Sequence, residues 1–304
     1  MVSLNATDLD RSRHAASPAR WLGRAAVVAG IGFFVLFFVV PIIWLVIASG
    51  KSPRDLITTA PFQPGTFAAL ADNWSALIGF QDGIIFTWLG NSALYSIGAL
   101  VLTLVTSIPA GYALALGNFP GRKPLLTMTL IVMLIPNTAL VLPIFLELSA
   151  VNLIGTPLSV ILPFSFFPFG VYLTYIYFST SIPRDLLAAA RIDGCGELAV
   201  FGRIALPLAT PVVALVGFFS FVANWNNYFL PFLTVPGTKA PIQVGLAEML
   251  SNVPAFNPTA AGTTSIQLPA LALATLVSVA PVMLIFMFSQ RFLVSGLTAG
   301  GTKE

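Results

Sequence analysis

Few residues in this chain could do covalent chemistry. Its 304 residues include one cysteine, Cys195, and one histidine, His14. A single thiol excludes a disulfide within the chain. His14 lies in a polar stretch beside Arg11 and Arg13, far along the chain from Cys195, so neither a His/Cys metal site nor a Ser-His-Asp triad is expected. Gly50-Lys51-Ser52 matches the end of a phosphate-binding loop, whose glycine amides cradle phosphate. That motif would need its first glycine where Leu45 stands, and Pro53 follows directly, so Lys51 reads as an interfacial anchor instead. Glu147 reads as a carboxylate capping the end of an apolar stretch in preference to a proton relay.

Uncharged polar chemistry is better represented. Asn227 and Tyr228 stand three and four residues after Asn224, so one regular helix would present two amides and a phenol on one face. Such a face could line the pathway of a hydroxyl-rich solute, or could equally tie helices together. Asn137 is a weaker pathway candidate, because it follows Pro136 and could satisfy backbone groups that the proline frees.

Composition sets the elements that must hold these residues. The chain is 57% hydrophobic and 8% charged, with mean hydropathy +0.92. Soluble domains carry roughly a quarter charged residues. An ordinary soluble enzyme, a disordered chain and a disulfide scaffold are excluded, and an all-α integral membrane protein is expected. About twenty consecutive apolar residues cross the hydrocarbon core as a helix. Six stretches qualify, at 25–49, 88–116, 125–146, 157–180, 208–233 and 267–289. The first is longer than the apolar run of a signal peptide, roughly 7–15 residues.

Lys and Arg collect on the cytoplasmic side of membrane proteins. Eleven of the 14 fall on one side of a six-span layout, among them Arg20, Arg24, Arg122, Lys123, Arg184 and Arg203. Lys51, Arg54 and Lys239 fall on the other, so both termini are expected in the cytoplasm. The expected organisation is a cytoplasmic tail at 1–24, a six-helix domain at 25–289 and a cytoplasmic tail at 290–304. Two outer loops, 50–87 and 234–266, are rich in Pro, Gly, Asn and Thr. The second, with Glu248 and Asn252, could touch a docked protein or cover the span ends. The short, uncharged 149–156 connection predicts a tight hairpin of spans three and four.

The stretch 181–211 is the most informative hydrophilic segment. Pro183 suits a first helical position and Asp185 a helix N-terminus. Leu186, Leu187, Ala190 and Ile192 give a short, mostly apolar helix, which Asp193-Gly194 should end. A second short helix is expected over 197–204, and Pro207 leads into the fifth span. Two short helices at a sharp turn make a knob, or simply a connecting loop.

This segment resembles the EAA loop of permease subunits of binding-protein-dependent ABC importers. Ala189, Ala190, Asp193, Gly194, Ile204, Leu206 and Pro207 match its pattern. Ala188 stands where the motif carries Glu, and Cys195 where it ends in Ala. The sequence QRFLVSGLTAGGTK at 290–303 is similar to the C-terminus of the carbohydrate-specific, maltose-type (MalG-like) branch. Asn91-Ser92, Phe119-Pro120-Gly121 and the run Asn224 to Tyr228 are similar to that branch too.

The resemblance implies a type I importer permease fold, half of a translocation pathway, and no ATP site in this chain. It implies a second, non-identical permease, a cytoplasmic ATPase dimer carrying ATP and magnesium, and an external sugar-binding protein. Contact with the ATPase would fall on Leu186, Leu187, Ala189, Ala190, Asp193, Gly194, Phe201, Leu206 and Pro207. Two alternatives remain at this stage: a permease of the same fold for another solute such as glycerol-phosphate, and a stand-alone gradient-driven carrier.

Overall fold

A computed structural model describes residues 18–260 and 265–298, and the regular structure within them is entirely helical. The tail bearing Arg11, Arg13 and His14, and Lys303 at the other end, lie outside the described residues. Helix α1 (Pro18–Ser49) is apolar on every side, with Phe33, Phe34, Phe37 and Phe38 all exposed. A helix of that kind needs an apolar solvent.

Residues 50–83, expected as loop, hold two capped helices. Ser52 Oγ accepts the Asp55 N–H at the start of α2 (Pro53–Thr58), and Thr66 Oγ1 accepts the Ala69 N–H at the start of α3 (Phe67–Gly79). Lys51 is no interfacial anchor. It is 2% exposed, and its Nζ donates to the carbonyls of Ala60 at 2.7 Å and Pro61 at 3.3 Å. Among the described residues, those two backbone carbonyls are the acceptors of its ammonium.

Helix α4 (Ile84–Leu116) is the central post of the fold. Helix α5 (Arg122–Met133) and α6 (Asn137–Ala150) meet at a 105° bend. Pro136 lacks the N–H that would continue the ladder, and its ring restricts Ile135. A second interruption separates α7 (Leu158–Ser165) from α8 (Pro168–Thr180). Carbonyls freed there are not orphaned: Thr103 Oγ1 of α4 lies 3.3 Å from both the Phe164 and the Ser165 oxygens. Next come α9 (Arg184–Ile192), α10 (Glu197–Val200) and α11 (Leu206–Leu208), then α12 (Thr210–Trp225) and α13 (Phe229–Thr234). The last two are α14 (Ile242–Ser251) and α15 (Leu268–Thr298), so the stretch beyond Gln290, expected as a tail, is helical as far as Thr298.

Helix α4 packs against α7, α8 and α12, and α12 against α15. The contact faces carry small and hydroxyl residues, including the buried Ser96, Ala99, Thr103 and Ser107. Gly111 is required by closeness: a Cβ there would sit 2.5 Å from the Thr174 Cβ on α8. The expected pairing of spans three and four is present where α5 packs on α8, while beyond the breaks α6 lies on α13, and α7 on α4 and α13.

Four helical stretches are long and apolar enough to cross a membrane: Trp21–Ser49, Phe67–Leu116, Leu158–Thr180 and Leu268–Gln290. Two bent pairs would bring the number to 6 if each is one span. The chain is an all-helical, multi-pass membrane protein.

One end of α4 is clamped. Trp88, Asn91, Ser92 and Tyr95 recur at helical spacing, and each bonds backbone between residues 237 and 242. Trp88 Nε1 donates to the Gly237 carbonyl at 3.2 Å, Asn91 Nδ2 to that of Thr238 at 2.8 Å, and Tyr95 OH to that of Lys239 at 2.8 Å. Ser92 Oγ accepts the Ile242 N–H at 2.7 Å. Lys239 Nζ reaches on to the Gly155 carbonyl at 2.7 Å.

Candidate functional site

At the opposite end of α4, helices α9 to α11 form a knob. Helix α9 starts after Pro183, whose backbone is extended, so the proline is the cap and Arg184 the first helical residue. Its end is a Schellman arrangement: the Gly194 N–H donates to the Arg191 carbonyl and the Cys195 N–H to that of Ala190. Gly194 has φ +86°, a conformation that costs any side chain with a Cβ. The Asp193-Gly194 stop is therefore where the sequence placed it.

The turn is fastened by a clasp that the sequence reading did not include. Arg191 Nε lies 2.6 Å from Glu197 Oε1, and its second nitrogen 3.2 Å from Oε2. The phenol of Tyr112, from α4, donates to the same carboxylate at 3.4 Å. The hydrogen-bonded guanidinium holds the Glu197 carboxyl below the usual carboxylate range, and the same bond raises Arg191 further above its ordinary value. Opposite charges six residues apart, flanking Asp-Gly, were the signal available for it.

The knob has two faces. Leu187, Ala190 and Val200 are buried in a cluster with Ile108, Phe178 and Val212, and Phe201 and Cys195 pack on it. The Tyr112 ring meets Phe178 edge-on at 5.2 Å and lies tilted against Phe201 at 4.9 Å. Leu186, Ile192 and Leu198 face outward, Ile192 at 86% and Leu198 at 88% exposure. Of the expected contact residues, Leu186, Ala189, Asp193, Gly194 and Pro207 are exposed, whereas Leu187 and Ala190 are buried, and Phe201 and Leu206 half-buried. Leu187 and Ala190 thus pack the knob onto the chain, while Phe201 and Leu206 keep part of their surface open.

The polar pathway candidates separate. Helix α12 stops at Trp225: Asn226 is its C-cap, and the Asn227 N–H donates to the Asn224 carbonyl three residues back, closing a tighter turn. Asn224, Asn227 and Tyr228 therefore do not share one helix face, which corrects that expectation. Tyr228 stacks on Phe232 at 5.5 Å and packs against the cluster around Trp88. The Asn227 Nδ2 is buried with no hydrogen-bond partner.

Asn137 and Asn224, far apart in sequence, come to one cavity of about 370 Å³ between α5, α6, α7, α8 and α12. Asn137 is exposed and makes no side-chain bond to the backbone around Pro136. Phe164, Phe166, Phe167 and Phe169 supply aromatic walls.

This arrangement of broken spans around a central post has a known counterpart. The structure of a bacterial ABC transporter involved in import of the acidic polysaccharide alginate contains a chain that superposes with a TM-score of 0.76. The match covers 96% of this chain and 99% of that one at 21% identity, so the two chains share a fold. Residues 107–299 match the family described as binding-protein-dependent transport system inner membrane component. The chain belongs to that family. It is 32% identical over 278 residues to the arabinooligosaccharides transport system permease protein of Halalkalibacterium halodurans, spanning 90% of this chain and 94% of the relative. It is 28% identical over 294 residues to the maltodextrin transport system permease protein of Bacillus subtilis, spanning 95% and 99%.

Proposed function

We propose that the chain is the membrane-spanning permease subunit of an ATP-driven, binding-protein-dependent sugar importer. The observation that carries this reading is the knob: a short helix ended at Gly194, with its inner face packed on the spans and Leu186, Ile192 and Leu198 exposed among charged residues on its outer face, in a chain of this family. Leu186, Ile192 and Leu198 have no partner within the described residues, and an exposed apolar cluster of this kind suits a protein partner. The partner proposed is a cytoplasmic ATPase dimer, which holds ATP and magnesium; this chain supplies the mechanical contact and no hydrolytic chemistry. The bent pairs each count as one span, giving six, with both termini on the knob's side of the membrane. A second, non-identical permease completes the pathway, and an external binding protein delivers the sugar to the clamped end.

Closure of the ATPase pair would move the knob, and the packing of Leu187, Ala190 and Phe201 on α4, α8 and α12 would pass that movement to the spans. Transmission needs the knob's shape. Gly194→Pro fixes φ near −65° where +86° is required, and Asp193→Arg puts a cation on the outward face. Both variants are expected to insert in the membrane and to abolish sugar uptake by the purified importer. Purification of the tagged wild-type chain should recover an ATPase and a second permease. Normal uptake by either variant, or an active chain recovered alone, would overturn the reading in favour of a self-sufficient carrier.

A further inference from the structure

Helix α3 carries three faces of different chemistry. Leu70, Asn73 and Leu77 turn toward the rest of the chain, and Leu77 joins the buried cluster around Trp88. Ala68, Asp72, Ser75 and Gly79 make a small, polar stripe that is exposed. Phe67, Ala71, Trp74 and Ile78 make an apolar stripe that is exposed as well, Phe67 at 91%. Spacings of three and four residues put each set on its own side of the helix. Water solvates the polar stripe and not the apolar one, and hydrocarbon the reverse. A helix lying in the plane of a membrane surface satisfies both.

The fold holds α3 at that level. Helix α1, apolar on every side, ends at Ser49, and Asn73 Nδ2 donates to the carbonyls of Ser49 and Lys51, both at 2.9 Å. The Thr66 N–H donates to the Gly50 carbonyl at 2.7 Å, and the buried Lys51 closes the loop between through Ala60 and Pro61. The middle of α3 is therefore tied to the point where α1 leaves its apolar solvent. The 33 residues of α4, at about 1.5 Å each, run about 50 Å and exceed a hydrocarbon core of about 30 Å, so α4 crosses without help from α3. Between the two helices, Gln81, Asp82 and Gly83 turn the chain at φ 44°, 55° and 79°. Side chains with a Cβ seldom adopt such angles, and Gln81 is held there by its Nε2 bond to Glu248 Oε1 at 3.0 Å. The joint is fixed by the fold. Across it Trp74 meets the Phe86 ring edge-on, with centroids 6.5 Å apart. Phe86 heads the exposed row of Leu94, Ile97, Val101 and Val105 along α4, so the stripe on α3 continues an apolar row on a spanning helix.

We propose that α3 is a membrane-surface helix, with Phe67, Ala71, Trp74 and Ile78 seated among the acyl chains of the leaflet on the clamped side, and Asp72 and Ser75 in water. The contact is with lipid chains and not with anionic headgroups. Between residues 50 and 83 the exposed ionisable side chains are Arg54, Asp55, Asp72 and Asp82, one cation against three carboxylates. The seat sets the depth of the clamped end, and it follows from the membrane class of the chain without the sugar-importer reading.

The test is made on the full-length chain in its native membrane, with p-benzoyl-L-phenylalanine replacing Phe67 or Ser75. After irradiation the purified chain is weighed by mass spectrometry. The chain altered at position 67 should gain the mass of a phospholipid, and the chain altered at position 75 should not. Ala71→Asp puts a charge on the apolar stripe and should lower the lipid adducts at position 67 several-fold. Ser75→Asp puts the same charge on the polar stripe and should leave them unchanged. Neither Ala71 nor Ser75 is buried, so both variants should fold, and the pair separates loss of the seat from a general effect of charge. In liposomes of phosphatidylcholine the yield at position 67 should not rise when phosphatidylglycerol is added. Adducts to another protein at position 67 would place a partner subunit on the stripe, and no adduct at all would place it in water. Either result, equal lipid adducts at both positions, equal effects of the two aspartates, or a yield that depends on phosphatidylglycerol would overturn the proposal.

Discussion

The two ends of α4 are fastened by different physics. At the clamped end, Trp88, Asn91, Ser92 and Tyr95 make directed hydrogen bonds to backbone about 150 residues away in the chain, and Trp88 is fully buried. At the knob end, α9 to α11 sit on an apolar cluster, and the directed bonds are a solvent-facing ion pair, the Tyr112 phenol and the Tyr177 phenol on the Leu208 carbonyl at 2.9 Å. Hydrogen bonds break when their partners shift by an ångström, whereas apolar contact is non-directional and tolerates sliding. Under the proposed function, the clamped end would stay in register and the knob would shift on its apolar seat.

The largest effect should come from the clamp. Trp88→Ala removes a buried indole and its bond to Gly237, and large-to-small aromatic changes of this kind cost about 3–5 kcal/mol. The purified complex should melt well below the wild type and transport in proportion to the folded fraction. A variant that melts normally but fails to transport would reverse the comparison, making the clamp a moving part. Tyr95→Phe is the milder version. It keeps the ring and deletes one bond to the Lys239 carbonyl, so about 1 kcal/mol and a small drop in melting temperature are expected.

How much of this could be read from the sequence differs between the two ends for the same reason. The knob is made by local rules: a short, mostly apolar helix of nine residues, then Gly194 at a left-handed stop, so its position was legible without a fold. The membrane class and the long spans followed from composition alone. The clamp was not legible, because Asn91 and Tyr95 find partners only when residues 237–242 are brought across the chain. Lys51 misled for a related reason, since its acceptors are carbonyls rather than a counter-charge. The cavity was half legible. Asn137 and Asn224 were singled out by type, but the helix-face argument that added Tyr228 assumed a regular turn, whereas α12 ends at Trp225 and a new helix starts at Phe229.

The smallest predicted effect sharpens the contrast most. Arg191 and Glu197 are 40% and 65% exposed, so their ion pair is worth at most about 1 kcal/mol after solvent screening. Its pH dependence follows from the depressed carboxyl of Glu197, whose first cause is the hydrogen bond from Arg191. A group with a lowered folded-state pKa contributes stability above its unfolded pKa, roughly 4.3 for Glu, and loses it as pH falls through the folded value. The clasp should therefore stay closed from neutral pH down to about pH 5 and open only in stronger acid. Arg191→Ala should barely change the melting temperature, because the apolar seat of Leu187, Ala190 and Phe201 is untouched. Its effect should fall instead on coupling: ATP hydrolysed per sugar imported should rise, since α9 and α10 would no longer move together. A large loss of thermal stability in Arg191→Ala would show that the knob, like the clamp, depends on its directed bonds, and the distinction between the two ends of α4 would fail.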